Sequence, residues 1–211
     1  MKKIAHLILV LLILFVAGSA IYNYGFKPLG WNLPPPMKFN YQTHWLGIYT
    51  HIFASVIALL LGPVQFWARL RQQQRQVHRW LGRVYLGVGV LLGGLSGLYM
   101  SLFSLASPAA RLGFACLALC WLYTGVRAYQ TIRAGDIVQH RAYMVRNFSL
   151  TLAAVSLRVY LPLSMMAGMD FGMAYTAIAW LCWIPNLVLA ELIWNRSARP
   201  LALVPPGSAN A

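Results

Sequence analysis

The chain has 211 residues, of which 60% are hydrophobic and 9% charged. A soluble domain carries about a quarter charged residues, and three acidic residues cannot solvate a globule of this length. The net charge of +14 does not indicate nucleic-acid binding: the basic residues lie in short segments between long apolar blocks, where a membrane protein places Lys and Arg near an anionic leaflet.

Six apolar blocks approach the ~20 residues that a bilayer crossing requires: residues 4–22, 44–67, 81–103, 112–132, 148–168 and 174–194. The fold class is therefore all-α, a polytopic transmembrane bundle of six helices. Residues 1–22 read as a membrane anchor. Their "MKK", apolar run and "AGSA" also suit a secretory signal cleaved after Ala20. Residues 23–43 form a loop containing "LPPPMKF", whose three prolines predict an extended, polyproline-like strap across the mouth of the bundle. Residues 44–196 hold the bundle proper. Residues 197–211 mix Pro, Gly, Ser and Ala without apolar periodicity and read as a disordered tail.

Orientation follows from Lys and Arg. With the N-terminus inside, the inner segments hold thirteen of them, in five groups. These are Lys2 and Lys3; Arg69, Arg71, Arg75, Arg79 and Arg83; Arg127 and Arg133; Arg141 and Arg146; and Arg196 and Arg199. The outer segments hold three, Lys27, Lys38 and Arg111. Both termini are expected in the cytoplasm. Tyr22, Tyr24, Trp31 and Trp45 mark the outer border, and Trp67, Trp80, Tyr143 and Trp194 the inner one. Cys116, Cys120 and Cys182 all lie in apolar blocks, which argues against a disulfide framework and for small packing residues.

Four features could carry chemistry. The dyads His78-Arg79 and His140-Arg141 each follow a basic loop and precede an apolar run, with Arg83 and Arg146 shortly after. They suggest a diverged two-helix repeat with both histidines at one depth. His78 and His140 could then clamp a haem iron, with Arg79 and Arg141 on its propionates. The competing reading is contact with anionic headgroups at the membrane border. The third feature is Arg158, in mid-helix, roughly 15–18 Å from the inner border at ~1.5 Å per residue. An Arg there costs ~2.5–3.5 kcal/mol on insertion scales, so it requires a partner. No acid matches its depth, but His51 does. A neutral His beside an unmatched Arg points to a haem propionate, a quinone oxygen or a lipid phosphate. The alternative is bonding to carbonyls freed near Pro162 or Pro185. The last feature is the stripe Gly89, Gly93 and Gly97, which suits either close helix packing or a flat cofactor. His44 shares a face with His51 and is expected to be solvated at the border. His6 has no assigned role.

The set "GPVQFW", "HRWLGRVY" and "GDIVQHRAYMVRNFSLTLAAVSLR" resembles a family of bacterial predicted membrane proteins, domain of unknown function 2306, over residues 44–162. That resemblance implies a multi-helix domain of the bacterial cytoplasmic membrane and no particular reaction. A weaker likeness is to b561-type cytochromes, which pair haem ligands on the second with the fourth helix and the third with the fifth. Here His51, His78 and His140 fall on helices two, three and five, and helix four has no His. One haem could thus be ligated and a second could not. Two function classes stand: a redox protein binding a b-type haem or a quinone, and a non-enzymatic protein binding anionic lipid or a partner, such as an assembly factor. The bundle core holds no carboxylate, which argues against an acid-relay transporter.

The charge asymmetry predicts that residues 68–77 and 133–139 face the cytoplasm. Single cysteines at Gln73 and Gln139, on a background lacking Cys116, Cys120 and Cys182, should react with an impermeant reagent only after the membrane is opened. Labelling in intact cells would refute the orientation.

Overall fold

The computed structural model describes residues 2–195. The expectations for Met1, Arg196, Arg199 and the tail, and for the side chains of Lys2, Lys3 and Trp194, fall outside the described residues. In chain order the helices are α1 (Lys2–Gly25), α2 (Pro35–Thr43), α3 (Trp45–Gln65) and α4 (Ala68–Gln73). They continue as α5 (Arg75–Phe103), α6 (Pro108–Arg133), α7 (Ile137–Met166) and α8 (Phe171–Leu192). All but α2 and α4 are long and apolar enough to cross a membrane, six in total, and no strand occurs among the described residues. The protein is thus an all-helical, multi-pass membrane protein. Helices are the open-ended solution in hydrocarbon because every backbone group is paired within its own segment. Large side chains such as Phe15 (70% exposed) and Leu95 (52% exposed) cover the outside of the bundle, where a soluble protein would place charge.

Helix starts are set by local chemistry. Ser107 Oγ accepts from the Ala110 N–H at 3.2 Å, with Pro108 in the first turn of α6. Asp136 Oδ1 caps α7 through the Gln139 N–H at 2.9 Å, and Asp170 Oδ1 caps α8 through the Met173 N–H at 3.0 Å. Gly135 (φ +79°) makes the left-handed turn from α6 to α7, which a β-carbon would strain.

Three expectations are corrected. The proline run is not a strap: Pro34 is extended (φ −55°, ψ 149°), but Pro35 and Pro36 open α2. A first helical turn has no N–H to lose and accepts the fixed φ of proline, so consecutive prolines can start a helix as well as prevent one. Helices α5 and α7 also begin at Arg75 and Ile137, six and eleven residues before the predicted starts at 81 and 148. Long polar side chains let a spanning helix continue into the headgroup zone, so loss of apolar periodicity does not mark its end. His44, expected to be solvated, is half-buried. Its ring stacks on Phe103 at 4.6 Å and its Nδ1 hydrogen-bonds the Tyr99 hydroxyl at 2.7 Å.

Small residues and one buried polar network hold the helices together. A β-carbon on Gly89 would lie 2.9 Å from Ala58 Cβ and 3.1 Å from the Ala58 backbone, so α5 and α3 touch nearly backbone to backbone. Gly62 gives the same close approach to the Phe148 ring, joining α3 to α7. Within the glycine stripe Gly89 therefore serves packing, whereas Gly93 and Gly97 line a cavity. Across the core, the Tyr85 hydroxyl donates to Asn147 Oδ1 at 2.7 Å. Asn147 Nδ2 donates to the Trp121 carbonyl at 2.8 Å and Thr124 Oγ1 at 2.9 Å. Trp121 Nε1 donates to Thr151 Oγ1 at 3.0 Å. Tyr85 and Asn147 are fully buried, so α5, α6 and α7 share one satisfied cluster. Around it α5 widens to a π-helical stretch, Tyr85–Leu92, and α7 breaks at Leu152.

Gly89→Ala should cost roughly 1–3 kcal/mol, the range for overpacking a tight core contact. Gly87→Ala, two residues away with nothing within 4 Å, should be neutral or slightly stabilising. Thermal unfolding in detergent distinguishes the two, and equal melting temperatures would contradict this packing.

Candidate functional site

Two cavities lie toward the α2 end of the bundle, and Arg158 lines both. The vestibule, about 280 Å³, is walled by Tyr24, Trp31 and Tyr41 among others. The inner cavity, about 250 Å³, lies among the spanning helices and is mostly apolar, with His51, Ser55, Trp121 and Tyr175 among its lining. Ala20 and Arg158 are common to both, so the guanidinium stands where the two spaces meet.

Arg158 is placed by α7, two turns past the break at Leu152. Its Nη1 donates to the Ala154 carbonyl at 3.1 Å, one turn back on the same helix. The backbone-carbonyl reading thus accounts for one of its five N–H groups. Its surface is open to the cavities, and its electrostatic neighbours are the phenols of Tyr24, Tyr41 and Tyr175. No carboxylate joins them. Asp136 and Asp170 cap helices. Glu191 forms a bidentate ion pair with Arg146, through Nε and through Nη2 at 3.1 Å. Burial, then the neighbouring Tyr24 and Tyr175, pushes the Tyr41 phenol up, so it remains a neutral donor.

His51 is fixed by the glycine stripe. Its Nδ1 donates to the Gly93 carbonyl at 2.8 Å, and its ring lies where a β-carbon on Gly97 would come within 2.9 Å. Only a glycine at 97 admits the imidazole. The bond to Gly93 puts the ring proton on Nδ1 and leaves Nε2 as a free acceptor. One turn along α3, Ser55 Oγ is shielded from solvent and has no hydrogen-bond partner. A buried hydroxyl left unpaired costs about 1–3 kcal/mol. The sequence pointed to His51 and Arg158 sharing a depth, and they line one cavity. It gave no sign of Ser55, because short polar side chains are common in spanning helices, and it marked Tyr24 only as a border residue; only the fold brings Tyr24, Tyr41 and Tyr175 to Arg158.

The second pair lies at the opposite, basic end. His78 and His140 are each the fourth residue of their helix. Each N–H closes the first turn on the preceding cap residue, Gln74 or Asp136, at 3.0 Å. The rings are electrostatic neighbours. His140 Nδ1 donates to the Ala128 carbonyl at 2.8 Å. His78 Nδ1 is shielded and has no partner. Arg79 and Arg141 are exposed, pointing away from the core. Arg83 stacks over Trp80 at 5.6 Å, and Arg146 over Tyr143 at 4.9 Å. Among the described residues no group of three or more His, Cys, Asp or Glu is placed to hold a metal ion.

Six helices long and apolar enough to span a membrane, packed around a mostly apolar cavity with a few converging polar groups, define a multi-pass membrane protein. Residues 48–194 match the family described as predicted membrane protein (DUF2306), and the chain belongs to that family. No curated protein and no solved structure matches the chain, so the likeness to b561-type cytochromes finds no support there. His51, Ser55, His78, His140 and Arg158 lie within the matched stretch, whereas Tyr24, Trp31 and Tyr41 of the vestibule precede it.

Proposed function

We propose that the protein binds a quinone or quinol headgroup in the cavity between His51 and Arg158, as part of membrane redox chemistry. The observation that carries this reading is the donor and acceptor set of an otherwise apolar cavity of about 250 Å³. Arg158 supplies N–H donors, His51 Nε2 an acceptor, and Ser55 Oγ a group that can do either. A ligand with an oxygen at each end of a flat apolar ring satisfies all three. Arg158 would hold one carbonyl oxygen. A quinol hydroxyl would donate to Nε2 of the neutral His51 ring. Apolar walls suit the ring, and a ligand already dissolved in the bilayer needs no aqueous path.

Protein purified in mild detergent from quinone-replete membranes should retain quinone in near-stoichiometric amounts, measured by chromatography of an organic extract. Arg158→Leu and His51→Ala should each lower retention at least tenfold. Arg158→Leu should also melt at an equal or higher temperature, because it replaces a charge inside the bundle by an apolar group. Wild-type protein carrying lipid but no quinone would overturn this reading in favour of a lipid- or partner-binding protein such as an assembly factor.

A second reading keeps a b-type haem at His78 and His140. It is supported by the bond from His140 Nδ1 to the Ala128 carbonyl, which orients the ring and leaves Nε2 free for iron. Arg79 and Arg141 would then meet the propionates. Protein made with haem precursor supplied should show a low-spin b-type spectrum that His78→Ala or His140→Ala removes and His44→Ala does not. A colourless, folded preparation would sink it.

A further inference from the structure

At the basic end of the bundle three side-chain nitrogens able to donate a hydrogen bond are shielded from solvent and have no partner: Gln65 Nε2, Arg71 Nε and His78 Nδ1, the last in the tautomer that carries its proton there. They come from α3, α4 and α5, yet they converge. Arg71 and Arg79 are electrostatic neighbours of His78. Gln65 reaches the same face of α5 one turn further on, where its Oε1 lies 3.3 Å from the position of a β-carbon on Gly82. Gln65 is 5% exposed, so its amide has no access to bulk water. The start of α5 has no side-chain cap, which leaves the positive end of that helix in the same region. Acids are committed elsewhere: Asp136 caps α7 and Glu191 pairs with Arg146.

We propose that Gln65, Arg71 and His78 form a binding site for a phosphate group at the basic end of the bundle. A tetrahedral oxyanion offers several acceptors at once, which is what three unpaired donors on three helices require. The depth is right for a lipid headgroup, since the apolar block of α5 begins at Leu81, within one turn of His78. A free phosphate or phosphomonoester would satisfy the same donors. With the loop holding α4 facing the cytoplasm, the site faces the anionic leaflet. This inference does not rest on the quinone reading, because the two sites lie at opposite ends of the bundle.

The full chain in neutral detergent is titrated with phosphatidylglycerol, phosphatidylcholine, diacylglycerol or inorganic phosphate, and its melting temperature is followed. A saturable upward shift with phosphatidylglycerol, weakened by salt and absent with diacylglycerol, is expected if a headgroup is the source. A shift with inorganic phosphate alone identifies a free phosphate instead and equally supports the site. Gln65→Leu and Arg71→Leu should raise the concentration needed for half the shift at least tenfold. Their unliganded melting temperatures should be unchanged or higher, because an apolar group replaces an unpaired donor. Equal shifts with diacylglycerol, no shift with any phosphate, or wild-type shifts in both variants would overturn the proposal. So would a low-spin haem spectrum lost in His78→Ala, because iron would then occupy the same ring.

Discussion

Inside a bilayer, apolar side chains gain nothing by leaving lipid for protein, so something other than the hydrophobic effect must hold helix against helix. Here that role falls to close backbone approach and to one shared polar cluster. Gly89 against Ala58 brings α5 onto α3, and Gly62 against Phe148 brings α3 onto α7. Asn147, completely buried, ties α7 to Tyr85 of α5 and to Trp121 and Thr124 of α6. Remove the small residues and the cluster could not close; remove the cluster and the helices would have contact without a fixed rotation about their axes. The inner cavity lies directly beside this cluster, since Trp121 and Thr151 belong to both. One wall of the site is therefore held by the most constrained part of the fold.

Scarcity of acid shapes the electrostatics. All three carboxylates have structural work: two start helices and the third pairs with Arg146. Arg158, in contrast, has one backbone carbonyl and a ring of phenols. Phenols place partial negative charge near a guanidinium without the desolvation cost of a second full charge. They also leave most of its N–H donors available.

The same logic separates the two ends of the bundle. Toward α2, the inner cavity mixes donors with the acceptor of His51, which suits a ligand whose oxygens exchange protons. At the basic end, donors alone are left unpaired, which suits an oxyanion. Lodging either ligand would satisfy groups that the protein itself leaves open.

Much of this was legible in the sequence. The length and apolarity of six blocks fixed an all-helical, multi-pass architecture, because hydrocarbon admits few alternatives for the backbone. Arg158 stood out because charge within an apolar block is costly, and depth along two helices pointed to His51, which lines the same cavity. Both dyads could be seen as equivalent, and each histidine is the fourth residue of its helix. Other features were not legible. Helix starts beyond the apolar blocks carry no periodic signal, and three prolines are compatible with a strap or with the first turn of a helix. Depth can be counted along one helix, but rotation and neighbour choice depend on which side chains fit between helices. Only the tertiary structure could place Ser55 beside His51, three tyrosines around Arg158, and Gln65, Arg71 and His78 together. Sequence determined which segments are long and apolar enough to cross a membrane; packing of small residues against their neighbours decided which side chains meet.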